Sequence, residues 1–208
     1  MPDQMIDKIH WLGHDSFYIA GSKVVYFDPW DVKGEPKADL ILISHAHFDH
    51  CSPDDVEKIK KAGTIILTEP ESAEKLKGDV RIMKPGQTLE AAGVKVTAMP
   101  AYNTDKNFHP KENNWLGFVV ELDGVTIYHT GDSDFIPEMK KTSADIALIP
   151  VSGTYVMTAD QAVQAARAIK PKIAVPMHYG KIVGSDEDAK AFAAALSEDM
   201  KVVIKERE

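Results

Sequence analysis

Asp39-Leu40-Ile41-Leu42-Ile43-Ser44-His45-Ala46-His47-Phe48-Asp49-His50 joins a buried strand to a dense cluster of metal-ligating side chains. Its first half is a continuous apolar run, the pattern of a strand covered on both faces. Its second half packs three histidines and one aspartate into six residues. Imidazole and carboxylate are ligands for borderline first-row cations. His45 and His47 stand two apart where the strand ends and can project onto one ion. Asp49 and His50 follow one turn later and can face a second. Ser52-Pro53-Asp54-Asp55 then has the marks of a helix start: Ser as N-cap, Pro in the first helical position, acids in the first turn. The cluster therefore sits on a strand-to-helix loop, where α/β folds place chemistry.

Upstream, residues 6–13, 16–20 and 23–28 have strand patterning, with Gly21-Ser22 as the turn of a hairpin. His14 falls between the first two and is either a turn residue or a group at the rim of the site. Asp28, before Pro29-Trp30, either closes an Asx-turn or orients a ligating imidazole through its second nitrogen. Trp30 either lines a wall of the site or covers the core. Downstream the pattern predicts a helix over 53–62, a strand over 64–68, a short helix over 70–77, and strands over 80–83, 87–91 and 94–99. Residues 100–114 are polar and irregular, a length of loop that is often functional. Strands over 115–122 and 125–129 flank the hairpin turn Asp123-Gly124 and run into Gly131-Asp132. A second apolar strand covers 145–149. Thr158-Ala159-Asp160-Gln161 is a capping box for a helix to Ile169. A strand over 172–177 ends at His178-Tyr179-Gly180, Ser185 caps a last helix, and 202–204 closes the chain as a strand. Ala38-Asp39-Leu40-Ile41-Leu42-Ile43 and Ala144-Asp145-Ile146-Ala147-Leu148-Ile149 look alike. They read as an internal duplication, with two sheets face to face and helices outside, in one domain over residues 1–208.

Apolar residues make up 44% and charged residues 27% of the 208, the balance of a soluble globular protein. The net charge of −8 argues against a nucleic-acid backbone as partner, which needs a basic footprint. Cys51 is the single cysteine, so no internal disulfide forms; a small buried side chain is expected there ahead of a thiolate ligand. Residues 1–7 show no basic region followed by an apolar core and no run reaches membrane-spanning length, so the expected compartment is the cytoplasm. His10 and His129, inside apolar strands, read as structural.

Three strand ends thus carry candidate ligands: His45, His47, Asp49 and His50, then Asp132, then His178. This H-x-H-x-D-H cluster, Gly131-Asp132 and Pro176-Met177-His178-Tyr179-Gly180 resemble the metallo-β-lactamase superfamily over nearly the whole chain. Gly13-His14, Phe27-Asp28-Pro29 and Tyr128-His129-Thr130-Gly131-Asp132 look like the branch containing ascorbate-6-phosphate lactonase and N-acyl phosphatidylethanolamine phospholipase D. The resemblance implies a four-layer αββα sandwich with the site at one edge between the sheets. It places His45 and His47 on metal one, Asp49, His50 and His178 on metal two, and Asp132 between them. The family's remaining histidine on metal one is expected near Pro100-Ala101-Tyr102-Asn103, where this chain has Asn103. Either His109 supplies that ligand from six residues on, or metal one is weak or absent.

By this resemblance the chain is a metal-dependent hydrolase of a small-molecule ester, lactone or phosphodiester. Two zinc ions per chain are the first expectation, and manganese or iron also suits the nitrogen and oxygen donors. Two close cations lower the pKa of a coordinated water to about 7 and supply hydroxide as nucleophile. Asp49 is the candidate proton acceptor, and His14, His109, Tyr155 and Lys181 are candidate substrate-side groups. Two alternatives are a degenerate or single-metal member serving as a metal-binding interaction protein, motivated by Asn103, and a metal-dependent nuclease. The pocket loops are 30–37, 102–114 and 153–157; substrate identity and oligomeric state do not follow from the sequence.

Overall fold

Alternation along the first strands divides the molecule into layers. In the computed structural model, which describes residues 1–34 and 36–208, Phe17, Ile19, Val25, Phe27, Leu40 and Leu42 point into one core, while Tyr18, Tyr26 and Ile41 point into another. Glu35, in the 30–37 loop, lies outside the described residues. The first sheet has the spatial order β1 (Ile9–Gly13), β2 (Ser16–Ala20), β3 (Val24–Phe27), β4 (Leu40–Leu42), β5 (Ile65–Thr68), β6 (Asp79–Ile82). The second continues as β7 (Thr88–Ala91), β8 (Val94–Pro100), β9 (Leu116–Leu122), β10 (Val125–His129), β11 (Ile146–Pro150), β12 (Ile173–Met177), β13 (Lys201–Val202), again in chain order across the sheet. A short α1 (Pro2–Met5) precedes them. Helices α2 (Pro53–Ile59) and α3 (Pro70–Lys75) make the crossovers after β4 and β5; α4 (Ala159–Ile169) and α5 (Asp186–Ala195) make those after β11 and β12. The outer core joins Val56 and Ile59 of α2 to Tyr26, Ile41 and Ile66. The large core runs between the sheets and out to α4 and α5. The architecture is the αββα sandwich of the metallo-β-lactamase fold.

Both sheets open as antiparallel strands and finish as parallel ones: β1 to β3 then β3 to β6, and β7 to β10 then β10 to β13. The duplication seen in the sequence has a physical counterpart. Asp39 donates its N–H to the Val24 carbonyl and accepts the Val24 N–H on its carboxylate (2.9 and 2.8 Å). Asp145 makes the same pair with Thr126 (2.9 and 3.0 Å). Their carbonyls accept from Ile65 and Ile173 (3.2 and 3.1 Å), and Lys61 and Lys172 each lie 2.7 Å from the respective carboxylate. Each aspartate thus sets the register of a central parallel strand against both neighbours.

The strand expected over 6–13 starts only at Ile9. Ile6–Lys8 is a 3₁₀ turn continuing α1, whose Pro2 fits the first helical turn. β4 is shorter than the apolar run, because Ser44 leaves the ladder to bond Asp28; Ile43 still donates to Leu67 O (3.0 Å). Among the described residues no helix is long and apolar enough to cross a membrane.

Candidate metal centre

The candidate ligands collect at one edge of the sandwich. His45, His47, Asp49 and His50 lie between β4 and α2, Asp132 follows β10, His178 follows β12, His14 follows β1, and His109 lies on the loop between β8 and β9. The ligand atoms of His45, His47 and His109 lie within 4.8 Å of one another, as do those of His45, His50 and Asp132 and those of His14, Asp15, His50 and His178. Asp132 is the common neighbour. Its Oδ2 is 3.2 Å from His109 Nε2, 3.5 Å from His50 Nε2 and 3.3 Å from His178 Nε2. His45 Nε2 is 3.0 Å from His47 Nδ1.

Most rings are aimed by a contact on their other nitrogen. Asp28 Oδ2 meets His50 Nδ1 at 2.8 Å, while the Asp28 carboxylate accepts from the Ser44 N–H and hydroxyl (2.7 and 2.6 Å). Ser44 Oγ is 2.9 Å from His45 Nδ1, and Ser152 Oγ is 2.9 Å from His178 Nδ1. These contacts fix each imidazole so that Nε2 faces the centre, the usual support for a ligating histidine. Trp115 packs against the rings of His45, His47 and His109, with centroids 4.7, 4.9 and 5.5 Å away.

The 100–114 loop folds back. Asn103 donates its N–H to the His109 carbonyl (2.8 Å) and its Oδ1 accepts from the His109 N–H (2.9 Å). Oδ1 also lies 3.1 Å from His109 Nδ1, and the amide donates to Tyr155 O (2.8 Å). Asn103 is therefore a clamp, and His109 occupies the place beside His45 and His47.

The site stores backbone strain. His14 and His178 have φ of +55° and +60°, and the His178 N–H donates to the His14 carbonyl (3.1 Å). A left-handed non-glycine residue costs about 1 kcal/mol or more. Gly131, before Asp132, has φ +62°, and a Cβ there would meet Leu116 O at 2.5 Å.

Among the described residues, nine buried side-chain N or O atoms have no hydrogen-bond partner, and seven belong to this cluster: both nitrogens of His14, both oxygens of Asp15, His50 Nε2, His109 Nε2 and Asp132 Oδ1. His14 Nε2 is 3.1 Å from Asp49 Oδ2, without hydrogen-bond geometry. Each such atom costs about 1–3 kcal/mol when buried unmet. Cations among these donors remove that cost, and the donor set of imidazole and carboxylate suits them. Burial pushes the His14 imidazole down to about 4 and the buried His45 ring down as well, and partial desolvation lowers the His47 ring at the mouth of the site, so all three are neutral at pH 7 and open to ligation. Burial opposes charge on His50 and Asp132 alike. The Asp132 and Asp28 carboxylates nevertheless hold His50 well up, and the His178 and His50 rings hold Asp132 well down. Burial and the Asp132 charge push the Asp15 carboxyl up.

A pH dependence follows for chelator-treated protein. In the unfolded chain His14 takes a proton near 6.5, but in the fold only near 4. The unfolded state therefore binds more protons in that window, and stability falls as pH drops through it. His50, raised, is protonated in both states there and contributes no slope. From His14 the expected loss is up to about 3 kcal/mol between pH 6.5 and 4; the lowered His45 and His47 add to it and the raised Asp15 opposes it, so it is read as the difference between wild-type and His14→Asn melts across that range.

A cavity of about 330 Å³ opens on the centre. His47, Asp49, His109 and Asp132 supply its polar lining, and Phe48, Phe108, Tyr155 and Ile182 its apolar lining. Phe48 is 69% and Phe108 53% exposed. Tyr155 reaches the cavity, as the sequence led us to expect, but two other candidates do not. Lys181 lies over the Trp30 ring (4.1 Å) and pairs with Asp31, outside the lining. His14 is fully buried behind Asp49 rather than at the rim. Trp30 stands edge-on to Phe48 and His14 at the periphery (6.1 and 6.0 Å). His10 stacks on Tyr18 and meets Glu208, His129 stacks on Phe27 and accepts from the Gly131 N–H, and Cys51 is buried. Sequence reading missed Asp15, Ser44, Ser152 and Trp115. Ser44 and Asp15 adjoin singled-out histidines, a usable signal; nothing local marks Ser152 or Trp115.

The family model described as "Beta-lactamase superfamily domain" matches residues 8–178. A UPF0173 metal-dependent hydrolase of Pyrococcus abyssi is 35% identical over 95% of both chains, and one of Thermoplasma acidophilum is 39% identical over 83% of both. The crystal structure of a Parabacteroides distasonis protein assigned to the metal-dependent hydrolases superposes with TM-score 0.85 at 35% identity, covering 96% of this chain and 93% of that one. Igni18, a metallo hydrolase of Ignicoccus hospitalis, gives TM-score 0.78 at 24% identity over 95% and 94%.

Proposed function

The chain belongs to the beta-lactamase superfamily, among the UPF0173 metal-dependent hydrolases, and from that membership we propose that it cleaves a small neutral ester or lactone with an apolar body, using two cations, zinc first. One observation carries the reading: the donors of His47, His109, Asp49 and Asp132 open onto a cavity whose other walls are aromatic and aliphatic. His45, His47 and His109 would hold one cation, Asp49, His50 and His178 the other, with Asp132 between. Bound there, the pair would acidify a coordinated water to about pKa 7 and polarise the scissile carbonyl.

The chain's own residues supply the rest. Burial alone would raise Asp49, but the His14 contact and the His50 charge bring it below the usual carboxylate range, so it is ionised at neutral pH. It lines the cavity and takes the proton of the attacking water. Phe48 and Phe108 hold the acyl body against the opening and exclude water from its sides. Among the described lining residues there is no lysine or arginine to meet the further charge of a phosphodiester, which places an ester or lactone ahead of it and counts against the nuclease reading. His109 in the position left by Asn103 counts against the degenerate reading. The Gly13-His14 and Phe27-Asp28-Pro29 motifs support a place near the ascorbate-6-phosphate lactonase branch, and we place the chain in the cytoplasm as part of the same proposal.

Metal-reconstituted protein is expected to hydrolyse p-nitrophenyl phenylacetate with kcat/KM about tenfold or more above the acetate, and bis-p-nitrophenyl phosphate more slowly than either. Phe108→Ala is expected to lose about tenfold on the phenylacetate, mostly in KM, as burial of one aromatic face gives about 1.5 kcal/mol. A flat acyl series with faster phosphodiester turnover overturns the substrate class; no turnover dependent on added metal overturns the hydrolase.

A further inference from the structure

The cluster has an inner and an outer part, and they differ in access. His47 and His109 face the cavity, whereas His14, Asp15, His50 and His178 form a group of four fully buried ligands of which none lines it. Around His50 Nε2 stand Asp15 Oδ2 at 3.7 Å, Asp132 Oδ2 at 3.5 Å and Asp49 Oδ2 at 3.9 Å. His14 Nε2 is 3.1 Å from that same Asp49 oxygen, and His178 Nε2 is 3.3 Å from that same Asp132 oxygen. Three imidazoles and three carboxylates therefore converge, against two imidazoles and two carboxylates in the set carried over from the family. The two extra residues are those with the most unmet polar atoms: both nitrogens of His14 and both carboxylate oxygens of Asp15 have no partner. A buried Asp side chain with neither oxygen hydrogen-bonded, and with His50 Nε2 no nearer than 3.7 Å, is costly in a packed interior, and a cation is what that geometry lacks.

We propose that His14 and Asp15 complete the shell of the inner cation, making it a closed, slowly exchanging ion with six protein ligands. The outer cation, on His45, His47 and His109, is the exchangeable one that faces substrate. Closed shells are the mark of structural ions, and an open position is the mark of catalytic ones. The inference rests on the metal reading above but not on the substrate class. A six-donor nitrogen and oxygen shell also favours an ion content with octahedral preference, such as manganese or iron, in the inner place, with zinc retained outside.

The test follows metal content. Protein loaded with manganese or zinc alone is dialysed against a chelator, and bound metal is measured over time. About one ion per chain is expected to leave quickly and the other to stay. Asp15→Asn and His14→Asn are expected to release the retained ion at least about tenfold faster, with unchanged circular dichroism, while His47→Ala loses the fast ion only. Wild-type release in both Asp15→Asn and His14→Asn overturns the inner-shell assignment while leaving the hydrolase reading standing. Failure of the wild type to bind any ion overturns both. Should the variants not fold, cobalt-loaded wild type decides: the ion left after chelation shows the weak visible absorption of six-coordinate cobalt, and an intense four-coordinate spectrum overturns the proposal.

Discussion

Asp132→Asn is expected to lower kcat/KM on any substrate by about a thousandfold or more, and to lower metal content in the same preparation. Its Oδ2 lies within 3.5 Å of His50, His109 and His178 Nε2, so one oxygen touches both groups of ligands. Asparagine keeps the shape and removes the charge, leaving two groups of imidazoles with no anion between them. The substitution also leaves His50 without a carboxylate that favours its charged form. Turnover and metal content equal to wild type would show that no ion is shared at Asp132.

Gly131→Ala is expected to cost about 3 kcal/mol of stability, a drop in Tm of about 6–12 °C for a chain of this size. Left-handed φ accounts for about 1 kcal/mol, and the rest comes from a methyl 2.5 Å from the Leu116 carbonyl, a backbone atom that cannot swing away. Leu116 donates its N–H to Ser44 O (3.0 Å), so moving it disturbs the histidine loop as well. Gly124→Ala is the control. It also has positive φ, +73°, but nothing within 4 Å of its Cβ, and should lose only about 1 kcal/mol. Equal losses at both positions would show that the contact with Leu116 contributes nothing.

The layered fold was legible because its causes are local. The apolar run after Asp39, the Asp123-Gly124 hairpin and the Thr158 capping box each act within a few residues, and each is present as expected. The ligand types were legible too, since three strand ends carried them. Their arrangement was not. Asn103 gave the impression of a missing ligand because its role is to bond residues six and fifty-two positions away. His14 read as either a turn residue or a rim group; it is in a turn, and its ring is buried because that left-handed turn is held by His178, 164 positions on. Asp15 carried only the weak signal of adjoining His14. In a sequence it is one more aspartate beside a glycine turn, and only the convergence of β1, β10 and β12 leaves its carboxylate without partners.

Each sheet is built from one uninterrupted half of the chain, β1 to β6 and then β7 to β13, with a single short passage between them. Nearly all strand pairing is thus settled within a half, where loop closure is cheap and pairing fast. The ligands, by contrast, come from both halves. The order of assembly expected from this is that each half gathers itself first and docking joins them, and only docking brings His109, Asp132 and His178 to the histidines of the first half.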